Sequence, residues 1–477
     1  MLLEVFCLKT KDFLDTVCNE VKYKPANKMI SEELAGHIED LKNDNLCKGY
    51  TDEQAEEKAV EQMGKAEDIG RQLNRIHKPH LDWKLLILIV ILMGFNLLIS
   101  VLKESTKNDN YLWSTIIYML IGIIISIGIY FFDYRKLKKQ SFLIYLFATI
   151  IMILPMAGMG YFVRGVLCLN ILGFSFFPGT MTITLYIIAF VGFIIDYKKD
   201  NIIKLKNQNK RFSINKDFIK IVGLTVLSLI IMSTISTLTN TLILSFVYLV
   251  ITTIKFIVDA EKTIKKLFTL YGTIGVVAIF LIVGLNVNFF KSDRILASFN
   301  PEIEPNGTGY IGMLQKEILQ NAKLIGEAET EVISSDKYII TEDTNYTFIY
   351  LLGKTGILST GILFLAIILT SLKLIINAKN IKEQYGKFLI IGLSILFILQ
   401  AFASILMNMN LGIRTNINIP FVSCGGFYFL VNIMSMAIIF SIYRRKDINF
   451  EGPKKSKLVA KIEDFFFEEV EENKSVE

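Results

Sequence analysis

WKLLILIVILMGFNLLISVL, residues 83–102, carries one charge, Lys84, in twenty residues. A helix of about 20 apolar residues is what crosses the ~30 Å hydrocarbon core of a bilayer. Nine more stretches of the same kind follow, roughly at 113–132, 141–160, 177–196, 218–236, 239–258, 270–290, 346–372, 387–407 and 426–443. Hydrocarbon offers no water to pair the backbone, so each stretch reads as an α-helix whose N–H and C=O groups satisfy one another. The composition agrees: 52% of the 477 residues are hydrophobic and only 20% charged, far from ordinary soluble usage. The expectation is an all-α polytopic membrane protein of about ten transmembrane helices, preceded by a small soluble helical domain.

The same inventory removes function classes. Cys7, Cys18, Cys47, Cys168 and Cys424 lie far apart with no C-x-x-C pair, which speaks against a zinc site or a disulfide framework. His37, His77 and His80 all precede the first apolar run, so the membrane body has no histidine to bind a metal or act as a base. No cofactor is evident. The net charge of +6 resides in short loops between apolar runs, so no nucleic acid is expected as a partner.

Those loops set the expected orientation. Arg135, Lys136, Lys138 and Lys139 follow the second run, and Lys198, Lys199, Lys204, Lys206, Lys210 and Arg211 the fourth. Lys262, Lys265 and Lys266 follow the sixth, Lys373, Lys379, Lys382 and Lys387 accompany the eighth, and Arg444, Arg445 and Lys446 the tenth. Every even-numbered exit is basic, which by the positive-inside rule puts both termini in the cytoplasm of a bacterial cell. The connection 291–345 would then face outward, with ten acidic residues against five basic and no obvious domain of its own. A loop of that length is functional or disordered, and the functional reading is taken.

Three parts result: a cytoplasmic helical prefix, 1–80; a ten-helix membrane domain, 81–446; and a cytoplasmic charged tail, 447–477. The opening MLLEVFCLKTKDF turns charged too soon for a signal peptide. In the prefix, Ile30, Leu34, Ile38 and Leu41, then Ala55, Ala59 and Met63, then Ile69, Leu73 and Ile76 recur at helical spacing, and Thr51-x-x-Gln54 offers a capping box.

Four blocks carry a resemblance. QAFASILMNMNLGIRTNINIPFVSCGGFYFL (Gln400–Leu430) is similar to Q-A-x-x-N … G-I-P-x-P-F-I-S-Y-G-G-S-S, and RILASFNPEIEPNGTGY (Arg294–Tyr310) to R-x-x-x-F-x-x-P-x-x-D-P-x-G-x-G-Y. TNYTFIYLLGKTG (Thr344–Gly356) stands where T-D-F-I-F-x-x-x-x-E-E-L-G is found, and GFSFFPGT (Gly173–Thr180) where G-x-F-S-F-Q-P-S-E is found. These are motifs of the SEDS family (shape, elongation, division and sporulation), which the chain resembles over roughly 83–447. Without the family, Pro420, Ser423, Gly425 and Gly426 read as a turn into a helix, and Asn300-Pro301 and Pro305-Asn306-Gly307 as turns of a structured loop. The prefix resembles the one ahead of permease-like membrane proteins of Gram-positive bacteria.

The resemblance implies an enzyme that polymerises lipid II, with a class B penicillin-binding protein as partner and membrane lipids around it; it also admits a divalent cation. The reaction displaces pyrophosphate from the donor sugar with an acceptor hydroxyl, and a carboxylate would take that hydroxyl's proton. The family's aspartate falls on Asn345, an amide that can orient a hydroxyl but cannot accept its proton. Glu342 and Asp343 stand nearby as the acids that could take over. The family's intramembrane acid–base pair falls on Thr180 and Ile183, and its two glutamates on Gly353 and Lys354. Arg294, Lys291 and Lys354 are the candidate cations for the pyrophosphate, and Ser423, Gly425 and Gly426 the candidate backbone contacts. Each has a plainer reading: Arg294 and Lys291 as interfacial anchors, Lys354 as the partner of a loop acid. Two functions stand, an active glycosyltransferase and a lapsed homologue that serves as a scaffold or regulator. A flippase is a third, without the internal repeats it would lead one to expect.

Overall fold

The computed structural model describes residues 2–76, 80–107, 111–163, 166–171, 174–196, 216–236, 238–258, 293–330, 333, 344–414, 416–422 and 426–446. These fall into two compact units. The first comprises Met1–Leu81, with Ile381–Glu383 and Tyr443–Lys454; the second holds the apolar helices.

In the first unit, α1 (Leu2–Glu20), α2 (Asn27–Cys47), α3 (Asp52–Met63) and α4 (Ala66–Ile76) enclose one core. Phe13, Val17, Val21, Ile30, Ile38 and Ala59 are buried there, with Leu34, Leu41, Met63, Ile69 and Leu73 packed around them. The capping box forms: Thr51 accepts from the Gln54 N–H and Gln54 accepts from the Thr51 N–H, both at 3.4 Å. Helix α1 was not foreseen, since its apolar residues are interrupted by charges that face water. Arg444 lies over the Tyr23 ring at 5.8 Å, a cation–π contact within this unit.

In the second unit, the helices are α5 (Trp83–Lys107), α6 (Tyr111–Phe131), α7 (Arg135–Lys139), α8 (Ser141–Ile153), α9 (Pro178–Asp196), α10 (Lys216–Ile235) and α11 (Leu238–Val258). They continue as α12 (Asp293–Phe299), α13 (Tyr310–Gln320), α14 (Thr347–Thr355), α15 (Ile357–Lys379), α16 (Gln384–Asn408) and α17 (Gly426–Tyr443). Six of them are long and apolar enough to cross a membrane, and three stretches in α8, α10 and α11 are apolar but shorter. Nine of the ten expected spans fall on described helices; 270–290 lies outside the described residues.

Helix α9 is the most enclosed, packed by α8, α10, α11 and α16. Hydroxyls tie neighbours together: Ser100 to Thr115 at 2.8 Å between α5 and α6, and Ser228 to Tyr248 at 3.2 Å between α10 and α11. Such bonds hold helices where water cannot drive them together. Small residues let backbones close in; a Cβ on Gly122 of α6 would stand 3.0 Å from Ile433 of α17.

Two expectations are corrected. The run 346–372 is two helices, because Gly356 takes φ +92, a conformation other residues rarely adopt. The third run leaves the α-helix at Leu154-Pro155 and continues, after Gly158 at φ +93, into an antiparallel sheet of β1 (Gly160–Val163), β2 (Val166–Ile171) and β3 (Phe174–Phe176). Proline cannot supply the helical N–H, and Tyr161, Phe162, Val163, Val166, Ile171, Phe174 and Phe176 give the strands β-branched and aromatic residues. Within the long connection, the described residues 293–330 form α12 and α13, joined by the turns expected of a structured loop.

Candidate functional site

Asn345 lies in a single 3₁₀ turn, Thr344–Tyr346, that leads into α14. A helix start leaves N–H groups without partners, and here the cap comes from another helix. Asn408, the last residue of α16, is fully buried; its Oδ1 accepts from the Ile349 N–H at 3.1 Å. Its Nδ2 donates to the Asn345 carbonyl at 3.0 Å and to the Ser404 carbonyl at 2.8 Å. The position that matches the family's aspartate is thus fixed by an amide 63 residues away.

The end of α16 leaves carbonyls unpaired in turn, and α13 supplies their donor. Buried Gln315 donates from Nε2 to the carbonyls of Met407 and Asn408 at 3.1 and 3.3 Å. Asn410, at φ 61, donates to the Gly312 carbonyl at 2.8 Å, the left-handed region being one that asparagine tolerates. Arg414 donates from Nη1 to the Thr308 carbonyl. Its Nε and Nη2 are buried and find no hydrogen-bond partner among the described residues. Burial holds its pKa below the ordinary arginine value, with Tyr346 acting the other way. A Cβ on Gly312 would stand 2.9 Å from Nη2, so the glycine leaves room for the guanidinium.

The turn that feeds α13 is built by its own polar groups. Glu304 accepts from Thr308 Oγ1 at 2.8 Å and from the Thr308 N–H at 3.3 Å, which holds its carboxyl below the usual carboxylate range. The Gly309 N–H donates to the Glu304 carbonyl at 3.0 Å, and a Cβ on Gly309 would stand 2.1 Å from the Pro301 carbonyl oxygen. Segments 301–316, 344–349 and 404–414 therefore meet in one place.

Two lysines border that place. Lys103, at the end of α5 and 1% exposed, holds its ammonium 5.4 Å from the centre of the Tyr350 ring in α14. Lys354 pairs with Glu327 at 2.9 Å, the plainer of its two readings. Thr180, at the start of α9, donates to the Phe177 carbonyl at 2.9 Å beside buried Ile183, with no ion pair between them. At the start of α17, a Cβ on Gly426 would overlap the Tyr118 ring, so glycine is what lets the ring pack there. Arg294 belongs to α12, and nothing is described of its side chain. Lys291, Glu342, Asp343, Ser423 and Gly425 lie outside the described residues. No three His, Cys, Asp or Glu come together among the described residues to hold a metal ion.

Asn408, Gln315, Arg414 and Lys103 were missed in the sequence. Lys103 left a signal, a charge at the very end of an apolar run. The amides left none, since an Asn or Gln near a helix end is commonplace.

A family model described as cell cycle protein, that of FtsW, RodA and SpoVE, matches residues 79–448. The probable peptidoglycan glycosyltransferase FtsW of Geobacter sulfurreducens is 23% identical over 336 residues, 69% of this chain and 84% of the relative. That of Nitrosomonas europaea is 23% identical over 383 residues, 77% of this chain and 94% of the relative. Among solved structures, a chain of a peptidoglycan synthase complex that coordinates polymerization and crosslinking superposes with a TM-score of 0.58 at 15% identity, over 77% of this chain and 98% of that one. A mutant of the rod shape determining protein RodA of Thermus thermophilus gives 0.51 at 12% identity, with the same coverage. These two likenesses are of fold.

Proposed function

From the premise that the chain belongs to the cell cycle protein family of FtsW, RodA and SpoVE, the SEDS proteins, we propose that it acts on lipid II in peptidoglycan synthesis, as a glycosyltransferase working at the site around Asn345. One observation carries the reading: Asn408 binds the Asn345 carbonyl and the first turn of α14, while α13 holds the end of α16 through Gln315. An acceptor hydroxyl attacks the donor sugar's anomeric carbon as the carbon–oxygen bond to pyrophosphate breaks, and the hydroxyl proton leaves to a base. Asn345 orients that hydroxyl by hydrogen bonding; the proton goes to Glu342 or Asp343. Arg294, Lys291 and Arg414 are the cations for the leaving pyrophosphate, and Ser423, Gly425 and Gly426 contribute contacts to the sugar-bearing end.

Orientation follows the positive-inside rule, with residues 1–80 and the tail in the cytoplasm and the Asn345 end outside. A class B penicillin-binding protein is the proposed partner, by likeness to the synthase complex.

A second reading is favoured by Asn345 itself. Loss of a general base costs about 10²–10⁴ in rate, which would leave a homologue that binds lipid II and serves as a scaffold. Purified chain is supplied with lipid II, with and without a penicillin-binding protein, and glycan strands are sought on a gel. Polymer that disappears on changing Glu342 or Asp343 supports the enzyme. No polymer, with activity gained on Asn345→Asp, supports the scaffold. No binding of lipid II at all would overturn both.

A further inference from the structure

The break at Gly356 leaves two helix ends with unpaired backbone groups, the carbonyls that close α14 and the N–H groups that open α15. Residues 321–328 supply their partners. The N–H groups of Ile357 and Leu358 donate to the carbonyls of Lys323 and Leu324 at 2.9 and 3.0 Å. The N–H groups of Gly326 and Ala328 donate to the carbonyls of Thr355 and Gly353 at 3.1 and 2.7 Å. The segment thus replaces the missing helical turn, two bonds for each end.

This pairing pins Leu324 and Ile325 beside the first turn of α15, where they are 66% and 69% exposed. They continue an exposed apolar stripe that runs along α15 through Ile357, Leu358, Ile362, Leu365, Leu369 and Leu372. Lys373 lies farther down the same helix and pairs with Asp82 at 3.0 Å, next to exposed Trp83. A charged pair beside an exposed indole marks a membrane–water boundary. From Lys373 back to Ile357 the helix is continuous, sixteen residues or about 24 Å. The hydrocarbon core is about 30 Å thick, so its far edge comes just beyond Ile357. There stand the ion pairs Lys354–Glu327 and Lys323–Glu329, whose acids are exposed.

We infer that residues 321–328 form a strap seated in the bilayer, with Leu324 and Ile325 among the acyl chains beside the α14–α15 break and the two ion pairs at the headgroups. Irregular backbone is not stable against lipid in the depth of the hydrocarbon core. Helices α14 and α15 pair four of the strap's backbone groups, the carbonyls of Lys323 and Leu324 and the N–H groups of Gly326 and Ala328. The strap lies at the edge of the core, where headgroup water reaches the others. Each large aliphatic side chain moved out of water contributes about 1.5–3 kcal/mol. Water is therefore the costliest surrounding for two such neighbours.

The test uses the full chain in lipid vesicles. Trp83 and Trp113 are changed to Phe to silence native emission, and Leu324→Trp, or Ile325→Trp in a second variant, reports the strap. Lipids brominated near the headgroup end of their acyl chains should quench that emission strongly, and aqueous iodide should not. Glu329→Trp, on the exposed side, should respond the other way. Quenching of Trp at 324 and 325 by iodide alone would place the strap in water. Quenching by neither agent would mean that protein covers it. Either result overturns the proposal, whether or not the site turns over substrate.

Discussion

Asn408 has both ends of its amide engaged inside the protein, one acceptor on the first turn of α14 and two donors on carbonyls. Asn408→Ala removes a helix cap worth about 1 kcal/mol and strands buried groups at about 1–3 kcal/mol each. A net loss of about 2–3 kcal/mol is expected, read as a lower midpoint of heat unfolding. Glu304 offers a pH-dependent counterpart. Its carboxyl is held low by Thr308, so the folded turn binds the ionised form better than the unfolded chain does. That contribution is complete above the unfolded carboxyl pKa, around pH 4, and is lost as pH falls through the depressed value. Protection of the 300–310 turn from an acid-active protease should fall over that window, and Glu304→Gln should remove the dependence. Asn345, the residue the sequence brought forward, lies at this junction, but the amides that hold it there carried no local mark.

At the scale of elements, the break between α14 and α15 interrupts what hydropathy reads as a single span. Hydropathy averages side chains and is blind to φ, which is why 346–372 read as one span. Gly356 at φ +92 also lies where a Cβ would come within 2.8 Å of the Lys323 carbonyl oxygen. Gly356→Ala should therefore cost about 1–3 kcal/mol in backbone strain, checked by heat unfolding of the reconstituted chain. The same blindness hid the sheet at 160–176, whose short strands read as the tail of a span and its connection. The capping box at Thr51 was legible because its chemistry lies within four residues, and both of its bonds form.

At the scale of the whole molecule, the proposed function depends on orientation. Cys47 is a free, exposed thiol in the first unit. With the other four cysteines changed to Ser, a membrane-impermeant maleimide should label Cys47 only after the cells are permeabilised. Labelling of intact cells would put the prefix outside and the Asn345 end inside, away from the cell wall. By itself the sequence determined that the chain is a multi-pass membrane protein built of apolar helices, since hydrophobicity is a property of short, contiguous runs. It also determined the family, through motifs read in order. Only the tertiary structure decided what surrounds Asn345, because Asn408, Gln315 and Arg414 reach their partners across 63, 92 and 106 residues. Pairings that distant leave no pattern along the chain; they exist once helix ends with unpaired groups are brought together and satisfy one another.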